Sequence, residues 1–155
     1  MNLRTSFPED LPHLARLFHD TVRQVNSAHY TPAEVAAWAP DQPDLERWRH
    51  KLAGETVMVA ELAGEMVGFC AWTDTGYLDF LYVHQAYQRK GVATALYAVA
   101  EATLRVQGLG RIHTQASVTA QPFFLRNGFR LVRHQSVQVR GVGLPNAIME
   151  KALAD

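Results

Sequence analysis

The sequence predicts an α/β protein in which a mixed β-sheet carries helices on both faces. Three observations lead to this prediction. Helical periodicity dominates the first part of the chain, three β-rich segments follow in direct succession, and a strand–helix–strand order comes after them. Successive strands joined by short turns form an antiparallel meander, whereas a strand–helix–strand unit adds a parallel neighbour. Both kinds of pairing together require a mixed sheet with helices packed on each face.

The segment before residue 56 is predicted to contain one strand and three helical stretches. Residues 2–6 alternate and form a short strand. A helix begins at Pro8, where proline and acidic residues suit a first turn, and apolar spacing continues it to Val25. A second helix covers residues 31–38, because Thr31 can cap it and a proline follows at the first helical position. Residues 44–51 form one or two further helical turns.

The remaining elements alternate between strand and helix patterns. Residues 56–61 and 66–73 are β-rich and are joined across a glycine-containing turn, which indicates a hairpin, and residues 76–83 form a third strand. Helical spacing then returns from about Gly91 to Val106 and stops at two glycines. The last elements are a strand at 112–117, a short helix at 119–126 capped by Thr119, and strands at 129–139 and 147–153, with Pro145 at the start of the final strand.

The composition is that of a globular chain and excludes several classes of protein. Hydrophobic residues make up 48% and charged residues 19% of the 155 residues, a balance unlike that of disordered chains. Lys+Arg and Asp+Glu each number 15, so the basic excess of nucleic-acid-binding proteins is missing. The single Cys70 allows no internal disulfide, and no apolar run reaches the ~20 residues of a membrane span. We expect a single-domain, cytoplasmic protein over residues 1–155, without nucleic-acid or membrane partners.

A glycine turn follows the third predicted strand and opens the long helix. It has the sequence Gln88-Arg89-Lys90-Gly91-Val92-Ala93. The first amides of a helix have no intrahelical partner and carry the positive end of the helix dipole, so such a turn can hold a phosphate. The spacing differs from the phosphate loop of NTPases and from the three-glycine dinucleotide turn. From spacing alone, phosphate binding and an ordinary solvated helix start are equally good interpretations.

The same turn resembles motif A of the GNAT superfamily of acetyl-CoA-dependent N-acetyltransferases, whose usual form is Gln/Arg-x-x-Gly-x-Gly/Ala. A second match to the superfamily, at the expected distance, is its Asn-x-x-Ala-x-x-Leu-Tyr-x-x-x-Gly-Phe pattern, which aligns with Ser117, Ala120, Phe123, Phe124, Gly128 and Phe129. The element order agrees as well, so the resemblance covers essentially the whole chain. It implies a GNAT-like fold with a largely antiparallel mixed sheet of six or seven strands. Residues 30–38, Asp79 and residues 122–124 further resemble a bacterial group of uncharacterised members similar to YafP.

The resemblance implies acetyl-CoA as co-substrate and suggests which residues bind it. Backbone groups at Leu81, Tyr82 and Val83 would pair with the pantetheine arm as an added strand pairs with a sheet edge. The pyrophosphate would be held mainly by backbone amides at the helix start, over Gln88, Arg89, Lys90, Gly91, Val92, Ala93 and Thr94. Ala93 stands where the family often has glycine. Ser117 and Phe124 would contact the cofactor near its reactive end.

Asp79 is the candidate general base. Acetyl transfer requires the amine to lose a proton, and an amine with a pKa near the lysine value of ~10.4 is mostly protonated at neutral pH. Asp79 is the only acid inside the third strand, and strand alternation predicts that it shares a face with Leu81 and Val83. The resemblance adds that GNAT enzymes often keep an acid on this strand. Binding of the acceptor's ammonium group, or an ordinary half-exposed position, are the alternatives.

The acceptor site is predicted near the first connection between helices, the region that covers this site in GNAT folds. Candidate acceptor contacts are His29, Tyr30, Trp38 and, directly after the third strand, His84. Trp38 fits a core position equally well. The 7 histidines show no zinc-hydrolase spacing, and we expect no metal. The tyrosine that often serves as general acid in this superfamily is Phe124 here, so the general acid stays unassigned, and solvent could protonate the leaving thiolate.

Two alternatives to a small-molecule N-acetyltransferase stay open at this point. The missing tyrosine is compatible with a non-catalytic acyl-CoA-binding or regulatory module. An enzyme that acetylates a protein N-terminus or a lysine is the other alternative, because the sequence does not distinguish small-molecule from peptide amines. Exposed final strands would allow a homodimer.

Overall fold

The computed structural model describes residues 1–153, in which seven strands form one sheet. The strands are β1 (Asn2–Thr5), β2 (Thr56–Leu62), β3 (Glu65–Trp72), β4 (Tyr77–Val83), β5 (Arg111–Ser117), β6 (Arg130–Val139) and β7 (Val142–Ala152). Their order is β1-β2-β3-β4-β5-β7-β6, and every neighbouring pair is antiparallel except the parallel β4–β5 pair. The prediction of a mixed, largely antiparallel sheet is confirmed.

Helices cover both faces of this sheet and enclose two hydrophobic cores. The helices are α1 (Leu11–Gln24), α2 (Pro32–Trp38), α3 (Leu45–Leu52), α4 (Val92–Val106) and α5 (Gln121–Arg126). The core on the α4 and α5 side includes Trp72 and Leu96, whereas the core on the α1–α3 side includes Leu14 and Phe69. None of the helices within residues 1–153 combines the length and the apolar character that crossing a membrane requires.

Local sequence signals account for most element boundaries. Thr31 and Glu34 form a capping box at the start of α2, in which each side chain bonds the backbone N–H of the other residue. Asp44 caps α3 by accepting from the Arg47 N–H at 3.1 Å. The β2–β3 hairpin turns at Ala63-Gly64, where both residues have positive φ, as a two-residue type I′ turn requires. These positions agree with the predicted elements.

Two boundary predictions were wrong. Strand β7 begins at Val142 rather than at residue 147, so Pro145 lies inside it. The proline is tolerated because β5 ends opposite Asn146, so no β5 residue needs a bond from the N–H that proline lacks. The Pro145 carbonyl points to the same side and accepts from the Tyr30 hydroxyl at 2.6 Å. Thr119 does not cap α5. Its hydroxyl bonds the ring of His29 at 2.9 Å.

Candidate functional site

The sheet opens between β4 and β5, its two parallel neighbours. The strands pair only at Tyr77↔His113 and Leu78↔Thr114, and both then continue without a shared register. Within the described residues, the edge of β4 beyond Leu78 therefore has no strand partner on the β5 side. Backbone N–H and C=O groups along such an edge can bond an extended ligand, as they would bond another strand.

A turn with free amides lies at the end of β4, where the chain enters α4. Arg89 has φ +61° and Gly91 has φ +81°, so two left-handed residues curl the backbone just before the helix. Among residues 1–153, no backbone or side-chain acceptor bonds the amides of residues 89–94, and the first bonded amide is that of Ala95, at 3.0 Å from the Gly91 carbonyl. The Gln88 side chain anchors the turn by donating to the Val83 carbonyl. This arrangement is a cradle for a phosphate at a helix N-terminus.

A cavity of about 320 Å³ lies beside this opening, on the α1–α3 face of the sheet. Its walls are largely aromatic: the ring centroid of Phe18 is 4.9 Å from that of Tyr82 and 5.0 Å from that of Trp48. Gln115 and Ser117 of β5 also line it, so the cavity reaches the gap between β4 and β5. A cavity of this volume, with an aromatic wall and several polar and charged side chains, suits a small organic ligand.

A β-bulge in β4 aims Asp79 into the cavity. The β3–β4 register pairs Ala71 with Phe80 and Trp72 with Leu78, which leaves Asp79 as the extra residue. A bulge interrupts the two-residue alternation of a strand and redirects the side chain at that point. The Asp79 side chain lines the cavity and is only 7% exposed.

The predicted face of Asp79 was therefore wrong. Leu81 and Val83 pack into the core beneath α4, on the opposite face of the sheet from the cavity. Asp79 instead shares the cavity with Tyr82. The alternation rule failed here because it assumes a regular strand, whereas Asp79 is the extra residue of a bulge, so the alternation of the segment from Phe80 onward does not extend back to it.

Glu55 and Lys51 complete a charged floor around Asp79. The Lys51 Nζ atom lies 3.6 Å from Asp79 Oδ2. The Glu55 carboxyl is close enough to the Asp79 carboxyl to form a hydrogen bond when one of the two is protonated. The Glu55 Oε1 atom is buried and has no other partner in the described chain. Burial, that bond and the Asp79 charge raise the pKa of Glu55 to about 8.

Sequence reasoning missed Glu55 entirely. It stands in the short loop before β2 and looks like an ordinary surface acid. No spacing connects it with Asp79, which is on a strand two elements later, and only the β2–β3–β4 pairing brings the two carboxyl groups together. A half-buried acid paired with another acid, beside a cavity, is characteristic of functional sites.

The four predicted acceptor contacts divide into two pairs. Tyr30 and Trp38 line the cavity, with ring centroids 5.0 Å apart. The Tyr30 hydroxyl has a structural task as well, since it accepts from the Val118 N–H at 2.9 Å. His29 and His84 do not line the cavity: His29 is exposed and bonds Thr119, and the His84 ring accepts from the Ala86 N–H at 3.1 Å.

Two predicted cofactor contacts on β5 and α5 occupy different environments. Ser117 is the last residue of β5 and borders the gap, where its Oγ accepts from the Ala120 N–H at 3.1 Å. Phe124 is a core side chain with 3% exposure, and its ring centroid lies 4.9 Å from that of Phe129. The structure therefore gives Phe124 a packing role.

Residues 1–153 contain no group of three His, Cys, Asp or Glu side chains that could together hold a metal ion.

Neutralising Glu55 should make the protein more resistant to urea at alkaline pH. A carboxyl pKa raised to about 8 from 4.5 means that the folded state binds the proton more tightly than the unfolded chain, so stability falls as the pH rises between these values. Glu55→Gln mimics the protonated form and removes this loss. Because Glu55 is partly exposed and water screens its charge, we expect a gain of about 1–2 kcal/mol near pH 8 and little gain near pH 5.

Urea unfolding of both proteins at the two pH values measures this difference. Glu65→Gln, at an exposed glutamate of the β2–β3 hairpin, is the matched control and should give no pH-dependent gain. An equal effect of Glu55→Gln at both pH values would contradict a perturbed Glu55 carboxyl.

Known proteins resemble this chain in sequence and in structure. Residues 26–153 match the family model described as an acetyltransferase (GNAT) domain. An uncharacterised N-acetyltransferase of Escherichia coli K12, YafP, is 36% identical over 149 residues, which are 96% of this chain and 94% of that protein. These matches extend over nearly every element described above.

Solved structures share the same architecture. A GCN5-related N-acetyltransferase from Rhodopseudomonas palustris superposes with a TM-score of 0.93 at 29% identity, over 97% of this chain and 94% of its own. YncA of Salmonella typhimurium, a putative acetyltransferase solved with its cofactor acetyl-CoA, has a TM-score of 0.69 at 20% identity, over 100% of this chain and 95% of its own. The second likeness concerns the fold alone.

Proposed function

This chain belongs to the GNAT family of acetyltransferases, and on that premise we propose that it transfers an acetyl group from acetyl-CoA directly to the primary amine of a small acceptor. One observation carries the proposal. The amide cradle and the open edge of β4 lie next to an aromatic cavity whose floor holds a carboxylate. A thioester bound along β4 would then meet an amine in the cavity.

The cofactor assignment rests on groups that are free to bond. The unbonded amides of residues 89–94 suit the pyrophosphate, with Arg89 and Lys90 adding positive charge. The open edge of β4 at Leu81 and at the Val83 N–H suits the amide groups of a pantetheine arm, while the Val83 carbonyl is occupied by the Gln88 side chain. YncA, which shares the fold, was solved with acetyl-CoA, and this supports acetyl-CoA as the ligand. Bound acetyl-CoA would supply the acetyl group as a thioester.

Asp79 would act on the acceptor. Its nearly buried carboxylate takes a proton from the amine, directly or through a water molecule, and the amine nitrogen then bonds the acetyl carbon. As the C–N bond forms, the C–S bond breaks, the nitrogen releases its second proton to solvent, and solvent protonates the thiolate, which is a good leaving group. The products are an N-acetylated acceptor and coenzyme A. When protonated, Glu55 would donate to the Asp79 carboxylate and orient it.

Thiol release from acetyl-CoA, followed with a panel of amines, tests this proposal. The panel contains amino acids, polyamines, aminoglycosides and short peptides, and reactions without an amine give the background hydrolysis. We expect acceptor-dependent thiol release together with a product about 42 Da heavier than the amine, which is the mass added by one acetyl group. Tight acetyl-CoA binding with no acceptor-dependent thiol release for any amine would refute transfer to a small acceptor.

A further inference from the structure

We propose that the acceptor is a small primary amine that also carries a carboxylate, and that Arg140 and Arg47 bind this carboxylate at the mouth of the cavity. The inference rests on the proposed function, because it names the substrate class of the same site. It comes from the charged side chains around the cavity. Positive and negative groups offset each other at the floor, whereas positive groups are in excess at the mouth.

Arg140 is held over the cavity by the β6–β7 hairpin. It occupies the two-residue turn with Gly141, and both have positive φ, +48° and +79°. The hairpin extends past the end of β5, which stops opposite Asn146, so its tip reaches toward α2. There Arg140 Nη1 donates to the Ala37 carbonyl at 2.6 Å. One end of the guanidinium is thus anchored, and its other N–H groups remain available beside the cavity.

Arg47 lies in the first turn of α3 and also lines the mouth. Neither Arg47 nor Arg140 has an ion-pair partner among residues 1–153. The nearby arginines differ in this respect, because Arg23 pairs with Asp41 and Arg49 pairs with Glu46. Two unpaired guanidinium groups at one opening leave a local excess of positive charge.

The one carboxylate that lines the mouth within the described chain does not cancel this charge. Asp44 accepts the Arg47 N–H to cap α3, and it supplies one negative charge against two positive ones. Burial and the charge of Arg47 lower the pKa of Arg140, whereas the charge of Asp44 raises it, and both arginines line the same cavity. An anionic group placed between them would relieve this repulsion. The planar guanidinium fork matches a carboxylate in a bidentate geometry.

The floor of the cavity, by contrast, favours a hydrogen-bond donor. Lys51 offsets Asp79, and Glu55 with its raised pKa is mostly neutral at pH 7. Asn146 lines the same cavity opposite Ser117, and its Oδ1 is buried with no partner in residues 1–153. An N–H donor such as an amine satisfies this oxygen, whereas a carboxylate there would be repelled.

The spacing between the two ends suits a small molecule. Arg47 and Lys51 are four residues apart on α3, which separates their Cα atoms by ~6 Å along the helix axis. Trp48 lies between them and faces the cavity. A compact ligand could therefore place its amine at Asp79, its apolar part against the aromatic wall, and its carboxylate at the arginines. Amino-acid-like amines have this arrangement.

Matched acceptor pairs test the proposal. Amino acids with one to four carbons between amine and carboxylate are each compared with the carboxamide of the same skeleton, by kcat/KM for thiol release from acetyl-CoA. A thermal-shift measurement with coenzyme A present reports acceptor binding without chemistry. The variants are Arg140→Gln and Arg47→Gln, and Arg133→Gln, at an exposed arginine of β6 outside the cavity, is the control.

We expect at least one amino acid to exceed its carboxamide by about tenfold or more in kcat/KM, and to raise the Tm where the carboxamide does not. Arg140→Gln and Arg47→Gln should each reduce this preference, mainly through KM, and Arg133→Gln should preserve it. Efficient turnover of plain amines or carboxamides, with no preference for carboxylates, would overturn the inference and leave the proposed function intact. A Tm increase specific to amino acids without any thiol release would support the anion site and refute the function. No Tm increase and no turnover with any amino acid would overturn the inference.

Discussion

Replacing Asp79 with asparagine is expected to lower kcat/KM for acetyl transfer about 10²–10⁴-fold, the usual loss when a general base is removed. Asparagine keeps the size and a hydrogen-bonding group for Lys51, so the floor of the cavity should remain packed. Acetyl-CoA affinity should be unchanged, because the cradle at residues 89–94 lies elsewhere. Steady-state kinetics with a true acceptor and calorimetric titration with acetyl-CoA separate the two effects.

The pH–rate profile provides an independent readout of this variant. The charge of Asp79 helps to raise the pKa of Glu55 to about 8, so its removal should move the Glu55 titration to lower pH. Asp74→Asn, at an exposed acid in the turn before β4, is the matched control and should change neither rate nor profile. If Asp79→Asn turned over at the parent rate with the parent profile, the carboxylate would have no part in proton transfer.

Replacing Gly91 with valine is expected to abolish detectable acetyl-CoA binding while the protein stays folded. Gly91 has φ +81°, a conformation that costs a β-branched residue about 1–2 kcal/mol or more, and an added Cβ would meet no protein atom within 4 Å. The folded protein can therefore carry the side chain. The valine would, however, occupy the space that a pyrophosphate needs beside the free amides.

Gly108→Val is the matched control for this variant. Gly108 follows the other end of α4, has φ +80° and is also free of atoms within 4 Å of an added Cβ. Both variants should lose similar stability in urea, but only Gly91→Val should lose acetyl-CoA binding by calorimetry. Equal affinities in the two variants would show that the pyrophosphate does not bind at this turn.

Elements with local causes were predictable from the sequence. The capping box of Thr31 and Glu34, the Asp44 cap and the glycine turn at Gly91 depend on residues within a few positions of one another. Hydrophobic periodicity determined the type of each element, and the element order determined a mixed sheet. The candidate cofactor turn could be predicted from the sequence for the same reason, since a strand, a glycine and a helix start are adjacent in the chain.

The cavity proposed to bind the acceptor was decided by the tertiary structure, because its charged groups come from segments far apart in sequence. Asp79 reaches the cavity through a bulge that local alternation does not signal, and Glu55 meets it only through the pairing of three strands. Arg140 and Arg47 line one cavity because the tip of the β6–β7 hairpin reaches across to α2. Sequence patterns record contacts between neighbours along the chain. The charge around a cavity depends on the packing of distant elements, so it becomes visible only when the fold brings them together.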